Sequence, residues 1–330
     1  MFPSLICSGA GKVWLRPCST QSQSLRRRTA IVVALSCTLV ACGSDQPASQ
    51  LAATSTSTTR ASTTTTVAST TTTAARPAPP TTTIPTGPFA VSTLSRTDTR
   101  GDRTLVTTLY QPDAPGPLPL FVWVHGLGST PEYFDEFLRQ IAARSILVAA
   151  PRMPLTNAEV PAPDFDDYVN QPADISFLLD RLVADLPERI DAKRIAVGGH
   201  SLGAMTTVGL VADRCCSDVR IRAAVEMSGT RRPFPGGEAT AHTVPTLWIH
   251  GTEDATFPVR DSERLFEEAA GPKFIVVLRD TPHVPWRNAE AVPLVQDAVE
   301  QFLDEYLVGR PGGADPLRGS GSGIASHRSE

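Results

Sequence analysis

One pentapeptide places a serine where it could act as a nucleophile. Residues 199–203 read Gly-His-Ser-Leu-Gly, with Ser201 at the centre. The glycines permit a tight turn from a strand into a helix, and such a turn exposes the serine hydroxyl. The pattern alone is common, but here it directly follows the apolar run 194–198 and directly precedes a helical pattern. That placement is the one nucleophilic catalysis by a serine requires, so Ser201 is the predicted nucleophile.

A carboxylate and a histidine follow the serine in the order that this chemistry needs. His283 comes a few residues after the last apolar strand pattern. It is the predicted general base that takes the Ser201 proton and returns it to the leaving group. Asp254 follows another apolar strand pattern within His-Gly-Thr-Glu-Asp and is the predicted partner of the imidazole. Glu253 is the adjacent alternative for this role, and Glu226 is a more distant one.

Backbone N–H groups are needed to stabilise the negative charge that develops on an attacked carbonyl oxygen. Residues 125–128 read His-Gly-Leu-Gly and follow an apolar strand pattern, which is where a second donor is expected. We assign this oxyanion hole to the N–H groups of Leu127 and Leu202. Loss of one such donor typically lowers the rate by about 10²–10³.

Two aromatic residues near these motifs could contact a substrate. Phe257 and Trp286 are predicted to line an apolar groove for an acyl chain, although both side chains could equally pack in the core. The segment 152–171, between a strand pattern and the next helical pattern, is too short for a helical cap domain. We therefore expect an open pocket.

The elements that position these residues alternate along the chain. Between residues 89 and 308, apolar runs rich in β-formers alternate with helical patterns. This alternation is typical of a mostly parallel sheet covered by helices, so we predict an α/β fold with about eight strands. The predicted strands are 104–110, 120–124, 146–150, 194–198, 221–227, 246–249 and 274–278, and the predicted helices are 132–143, 173–186, 202–212, 260–269 and 289–306.

Residues 1–41 have the composition of an export signal. Three arginines at 26–28 precede an apolar run of signal-peptide length, which is shorter than the roughly 20 residues that span a bilayer. The sequence Leu-Val-Ala-Cys at 39–42 resembles a bacterial lipobox, in which the cysteine carries a diacylglyceryl group. We expect Cys42 to anchor the chain to the outer face of the cell membrane, with secretion after cleavage near Ala41 as the alternative. The long polar stretch before the arginines indicates a start site assigned too far upstream.

The remaining segments are expected to be disordered. Residues 42–88 are rich in threonine, proline and serine, a composition that cannot bury enough apolar surface to fold and that indicates a tether. The glycine-rich residues 309–330 are predicted to form a disordered tail. This leaves 89–308 as one catalytic domain, a length that supports a proper core.

Charge and cysteine usage narrow the range of partners. The chain has a formal net charge of −4, which becomes −9 without residues 1–41, because that segment holds five basic and no acidic residues. A nucleic-acid partner is therefore not expected. No cofactor or metal motif is present in the sequence, and the expected substrate is a small-molecule or lipid ester. The oligomeric state is left open.

Cys215 and Cys216 could form a disulfide, although two unjoined residues are the more ordinary expectation.

The motifs together resemble the α/β-hydrolase superfamily. Residues 170–180 are similar to a helix in its dienelactone-hydrolase-like, chlorophyllase-like and platelet-activating-factor-acetylhydrolase-like branch. The resemblance implies the α/β-hydrolase fold without a large cap domain. It also implies a serine carboxylic-ester hydrolase that forms an acyl-enzyme, with Ser201, Asp254 and His283 as the triad.

Other functions use the same residues. An acyltransferase or thioesterase would differ only in the group that resolves the acyl-enzyme. A polyester hydrolase of the cutinase-like kind is disfavoured, because relatives of that kind usually carry an aromatic residue at the position of Leu127 and a methionine at that of Leu202. A non-catalytic surface binding protein on the same scaffold is a further alternative.

Overall fold

The computed structural model describes residues 87–310 and 323–330. The predicted signal segment, Cys42 and nearly all of the tether lie outside these residues. The strands are β1 (Val91–Arg100), β2 (Arg103–Pro112), β3 (Leu118–Val124), β4 (Leu147–Arg152), β5 (Ile190–His200), β6 (Ile221–Met227), β7 (Thr246–Glu253), β8 (Lys273–Pro282) and β9 (Ile324–Ser329). The helices are α1 (Asp135–Ala142), α2 (Gln171–Asp185), α3 (Leu202–Ala212), α4 (Arg260–Glu268) and α5 (Ala291–Leu303).

The nine strands form one sheet in the order β1-β2-β4-β3-β5-β6-β7-β8-β9. From β4 to β8 in this order, consecutive strands are parallel to one another, whereas β1 and β2 at one edge and β9 at the other pair antiparallel. The predicted α/β fold, mostly parallel and flanked by helices, is confirmed. Parallel strands end at the same edge of a sheet, so the loops after β5, β7 and β8 meet there.

Helices cover both faces of the sheet, and β3 shows why. All seven residues of β3 are buried. Phe121 and Trp123 pack on one face with side chains of α1 and α5, whereas Leu120 and Val122 pack on the other with side chains of α2, α3 and α4. A parallel strand covered on both faces is apolar at every position, which is the pattern that made β3 predictable.

The edge strand β1 was not predicted from the sequence. Its residues are mostly exposed and polar, so it lacks the apolar alternation that marks a half-buried strand. Arg103, at the start of β2, anchors this hairpin to the helical layer. Its guanidinium donates to the buried carboxylates of Asp167 at 2.7 Å and Asp174 at 2.5 Å. These contacts join segments far apart in sequence.

The C-terminal residues differ from the predicted disordered tail. Ile324–Ser329 forms β9, which pairs antiparallel with β8. Five of its six residues are exposed. Backbone hydrogen bonds at the edge of β8, rather than apolar burial, therefore hold this strand, and the apolar pattern gave no signal for it. No helix within residues 87–310 and 323–330 is long and apolar enough to cross a membrane.

The adjacent cysteines after α3 are joined. Cys215 and Cys216 form a disulfide bond, so the expectation of two unjoined residues is wrong. Asp213 lies beside them, and its carboxylate accepts the N–H of Cys215 at 3.2 Å. Within the described part of the chain, these three residues are the one group with the spacing of a metal site, but the joined sulfurs offer no thiolate ligand.

Candidate active site

Ser201 lies at a strained turn between β5 and α3. Its backbone has φ of 57° and ψ of −114°, a conformation that residues other than glycine rarely adopt. The N–H of Ser201 donates to the carbonyl of Met227 at 2.9 Å, which fixes the turn against β6. The flanking glycines are required by packing: a Cβ at Gly203 would lie 2.0 Å from the carbonyl oxygen of Val124, and one at Gly199 2.3 Å from Gly203. The backbone therefore presents the hydroxyl at the sheet edge.

The structure brings the three predicted triad residues together. Asp254 directly follows β7, and His283 directly follows β8. The Nε2 atom of His283 lies 2.8 Å from the Oγ atom of Ser201. Its Nδ1 atom lies 2.7 Å from Oδ2 of Asp254. This hydrogen-bonded chain has the geometry in which an imidazole can accept the serine proton.

The Asp254 carboxylate is buried and fully hydrogen-bonded. Its Oδ1 atom accepts the backbone N–H groups of Thr256 at 2.8 Å and Phe257 at 2.9 Å. Burial raises its pKa, but hydrogen bonds from His250, from His283 and from the Phe257 N–H outweigh that effect and hold the pKa well below its usual value. Asp254 is therefore ionised across the physiological range.

His250 is a second histidine on the same carboxylate, and the sequence did not assign it this role. Its Nε2 atom lies 3.0 Å from Oδ2 of Asp254 and 2.9 Å from the carbonyl of Phe257. Because both neighbours are acceptors, Nε2 carries the hydrogen, and Nδ1 then accepts the hydroxyl of Ser262 at 2.7 Å. The spacing of four residues between His250 and Asp254 was the only sequence signal for this contact.

The two alternative acids do not reach the imidazole. Glu253, the last residue of β7, is exposed. Glu226 is buried in the sheet and accepts the indole N–H of Trp248 at 2.8 Å. Burial raises the pKa of Glu226 to about 8, so this carboxyl is neutral at pH 7.

His125 holds the loop that carries Leu127. The Nε2 atom of His125 accepts the N–H of Met153 at 3.0 Å, so its Nδ1 carries the hydrogen and donates to the carbonyl of Gly126 at 2.7 Å. Burial lowers the pKa of His125 to about 4, which keeps the ring neutral in this role. The N–H of Gly128 donates to the carbonyl of Thr156 at 2.7 Å, which joins the other side of the turn to the segment after β4.

The two residues proposed as oxyanion donors belong to segments that adjoin the nucleophile. Leu202 is the first residue of α3, where N–H groups have no acceptor within the helix. A Cβ at Gly126 would lie 3.2 Å from Cβ of Ser201, so the loop carrying Leu127 contacts the nucleophile. Among the described backbone contacts outside helices and strands, the Leu127 N–H has no acceptor. The assignment of the oxyanion hole stays a prediction that this arrangement permits.

A cavity of about 330 Å³ contains the hydroxyl of Ser201 and the ring of His283. Its wall combines apolar and polar groups in similar proportion, and several wall residues are exposed to solvent at the mouth. Sequence reasoning had not identified the aromatic residues and the arginine on this wall, because their positions depend on how two short 3₁₀ helices turn. The wall includes Leu127, Ser129, Thr130, Tyr133, Phe134, Val284 and Arg287.

Phe257 and Trp286 do not line this cavity, contrary to the prediction. The Trp286 ring packs edge-on against Phe134 at 4.8 Å and Phe137 at 5.6 Å between ring centres, within the aromatic core. The Phe257 ring lies 5.5 Å from the ring of His283 and packs against it edge-on. The other interpretation, packing against the core, therefore holds for Trp286, whereas Phe257 contacts the ring of His283.

The fold and the site together define an α/β hydrolase. Comparison with family models identifies the Chlorophyllase family over residues 82–252, just over half of the chain. The chain belongs to the Chlorophyllase family. The matched region includes Ser201 and ends just before Asp254, and the family suggests an esterase or related hydrolase activity.

Curated relatives match a shorter part of the chain. The uncharacterized protein YfhR of Salmonella typhi is 26% identical over 163 residues, which cover 43% of this chain and 52% of that protein. The uncharacterized protein Rv2307c of Mycobacterium tuberculosis is 32% identical over 137 residues, covering 36% of this chain and 48% of that protein. The chain thus spans about half the length of the curated relatives it matches.

Replacing Glu226 by glutamine is expected to change how stability depends on pH. The pKa of Glu226 is about 8 in the folded protein and about 4.3 in an unfolded chain. Its contribution to stability is therefore complete below the unfolded value and is lost as the pH rises toward 8. Glutamine keeps an acceptor for Trp248 and cannot ionise.

Urea unfolding of the wild type and Glu226→Gln between pH 5 and 8 checks this expectation. The variant should gain stability relative to the wild type by roughly 1 kcal/mol per pH unit. A difference that stays constant over this range would contradict the assignment of a neutral buried carboxyl.

Proposed function

We propose that this protein is a serine carboxylesterase that hydrolyses short to medium acyl esters through an acyl-enzyme on Ser201. One observation carries the proposal: His283 bridges the Ser201 hydroxyl at 2.8 Å and the Asp254 carboxylate at 2.7 Å. Membership of a family that suggests esterase activity supports the same class of reaction.

Acylation would begin when His283 accepts the Ser201 proton while Oγ attacks the ester carbonyl carbon. The resulting oxyanion would accept the N–H groups of Leu127 and Leu202, and the dipole of α3 would favour its negative charge. Collapse of this intermediate breaks the bond to the alcohol oxygen. The alcohol leaves with the proton from Nε2 of His283, and Ser201 keeps the acyl group.

Deacylation would repeat these steps with water. His283 takes a proton from water as the hydroxide attacks the acyl carbonyl, and Ser201 leaves with that proton as the carboxylic acid is released. Throughout, Asp254 accepts the Nδ1–H of His283 and stabilises the imidazolium. His250 supports this role because it donates to Asp254 and fixes the position of the carboxylate.

The acyl range follows from the size and character of the cavity. About 330 Å³ is the low end of the volumes of small-molecule sites and suits a short or medium chain. Leu127 and Tyr133 are 41% and 50% exposed, so apolar surface is available at the mouth. No helical cap covers it within residues 87–310, since only loop and a short 3₁₀ helix lie between β4 and α2.

Hydrolysis of p-nitrophenyl esters from acetate to palmitate tests the proposal. The rate is expected to be highest between butyrate and octanoate. Ser201→Ala should lower kcat by about 10⁶ and Asp254→Asn by about 10⁴, the losses typical of a serine triad. Glu253→Gln is the matched control, because it changes the neighbouring acid that does not contact His283, and it should keep wild-type activity. Folded wild-type protein without turnover, or an active Ser201→Ala variant, would contradict the proposal.

We also propose that the enzyme acts outside the cytoplasm, held to the membrane by a lipid on Cys42. The apolar run that precedes Leu-Val-Ala-Cys at 39–42 supports this location. Two acyl chains give stable anchoring where one gives only marginal binding.

Labelling with radioactive palmitate and partition into a detergent phase measure this anchor. The wild type should incorporate label and enter the detergent phase, and Cys42→Ser should do neither. Cys37→Ser, which changes a cysteine inside the predicted signal, serves as the control and should behave as the wild type. Labelling of the Cys42→Ser variant to the same extent as the wild type would contradict the lipid-anchor proposal.

A further inference from the structure

One basic residue, exposed to solvent, lines the cavity that holds the reacting groups. Arg287 is the last residue of the short 3₁₀ helix Pro285–Arg287, which follows His283 after a single intervening residue. Its backbone N–H donates to the carbonyl of Val284 at 3.0 Å, which fixes the turn. Arg287 lines the same cavity as Ser201 and His283, and among the described residues of that wall it is the only one with a permanent charge.

Among the arginines that the structure describes, Arg287 differs from most in having no partner within the described residues. Arg139, Arg152 and Arg220 form ion pairs with carboxylates at 2.5 to 2.7 Å. Across residues 87–310 and 323–330, the guanidinium of Arg287 meets no carboxylate within 4.0 Å and donates no hydrogen bond to a protein acceptor. Its five N–H donors, arranged in a planar fork, are free for a ligand.

The cavity is otherwise suited to an anion. Within the part of the chain that the structure describes, no aspartate or glutamate lines it. The nearest functional carboxylate, Asp254, has a fully buried side chain whose oxygens accept hydrogen bonds from two backbone N–H groups and two imidazoles. These donors hold the charge of Asp254, and its oxygens are not exposed to the cavity. The chain as a whole carries a net charge of −4, so a local cation is needed to hold an anionic substrate here.

We infer that the preferred substrates are esters bearing a carboxylate or another anionic group, which Arg287 binds while Ser201 attacks the carbonyl. The inference rests on the proposed esterase function and names its substrate class. A planar guanidinium binds such a group through two parallel hydrogen bonds. Arg287 is then a residue that determines specificity, since it contacts a part of the substrate away from the reacting bond.

Matched ester pairs that differ in one charge test this inference. Mono-p-nitrophenyl adipate and p-nitrophenyl hexanoate have six-carbon acyl chains and the same leaving group, and they differ by a terminal carboxylate. 4-Acetoxybenzoate and its methyl ester place the charge on the alcohol side instead. The readout is the ratio of kcat/KM for the charged and the neutral ester of each pair, after subtraction of the reaction without enzyme. This ratio does not depend on the fraction of active protein.

In at least one pair, Arg287→Gln should lower this ratio by about tenfold, the change expected for one charge-assisted interaction at a partly solvated site. Arg287→Lys should restore part of the ratio because it keeps the charge. Arg222→Gln is the matched control: Arg222 is exposed near the amino end of β6, opposite the catalytic edge, and its loss should leave both ratios unchanged. Raising NaCl to 1 M should lower the wild-type ratio through screening.

The outcomes separate this inference from the esterase proposal. An Arg287-dependent ratio in the adipate pair assigns the anion to the acyl side, and one in the benzoate pair assigns it to the alcohol side; either supports the inference. Activity on all four esters with ratios unchanged in Arg287→Gln overturns the inference and leaves the esterase function standing. Folded wild-type protein that hydrolyses none of the esters overturns both.

Discussion

A buried carboxylate, Asp254, is the contact on which the site depends. Two backbone N–H groups hold its Oδ1 atom, and the rings of His250 and His283 lie within 3.0 Å of Oδ2. An ionised group is costly to bury unless it is paired and hydrogen-bonded, and here each oxygen has two partners. Because Asp254 stays ionised, His283 is held with its Nδ1–H toward the carboxylate and its Nε2 toward Ser201. Asp254, in the loop after β7, thus determines the orientation of the His283 ring in the loop after β8.

The histidines around the site divide into one that can carry a proton and others that hold the backbone. His125 and His200 are buried, and burial lowers the pKa of each to about 4. His125 ties the loop of Leu127 to the segment after β4, and His200 lies 2.8 Å from the carbonyl of His283 through its Nε2 atom. Their neutrality leaves His283, which is partly exposed to the cavity, as the ring placed to exchange protons with a substrate.

The sequence predicted the elements whose signal is local. The central strands contain apolar runs, and α3 begins at the residue after the serine. The bounds of β6 and α3 were found as observed, whereas β5, β7 and β8 extend up to four residues beyond the predicted ones. The edge strands β1 and β9 were not found, because backbone pairing rather than apolar burial holds them. Each triad residue follows a strong strand pattern, which is why its position could be inferred although the three are far apart in sequence. Their contact follows from the parallel order of β5, β7 and β8, which the structure shows and the sequence does not.

The pocket was harder to predict than the triad, because its wall depends on side-chain direction in short turns. In the 3₁₀ helix after His283, Trp286 packs in the core and Arg287 lies on the cavity wall. The amino acid types alone favoured an aromatic residue in the groove, and nothing in the sequence showed that the exposed Arg287 borders the cavity. His250 shows the same limit, because its contact with Asp254 depends on how the loop after β7 turns back toward the strand.

The central claim is that Ser201 is a nucleophile activated by His283 and Asp254. Treatment of the folded protein with diethyl p-nitrophenyl phosphate tests it directly, because this reagent phosphorylates activated serines and releases p-nitrophenolate. Peptide mass spectrometry should find one diethylphosphoryl group per chain on Ser201, and His283→Ala should abolish the reaction. A folded wild-type protein without the adduct, an adduct on another side chain, or an equal rate in His283→Ala would contradict the account.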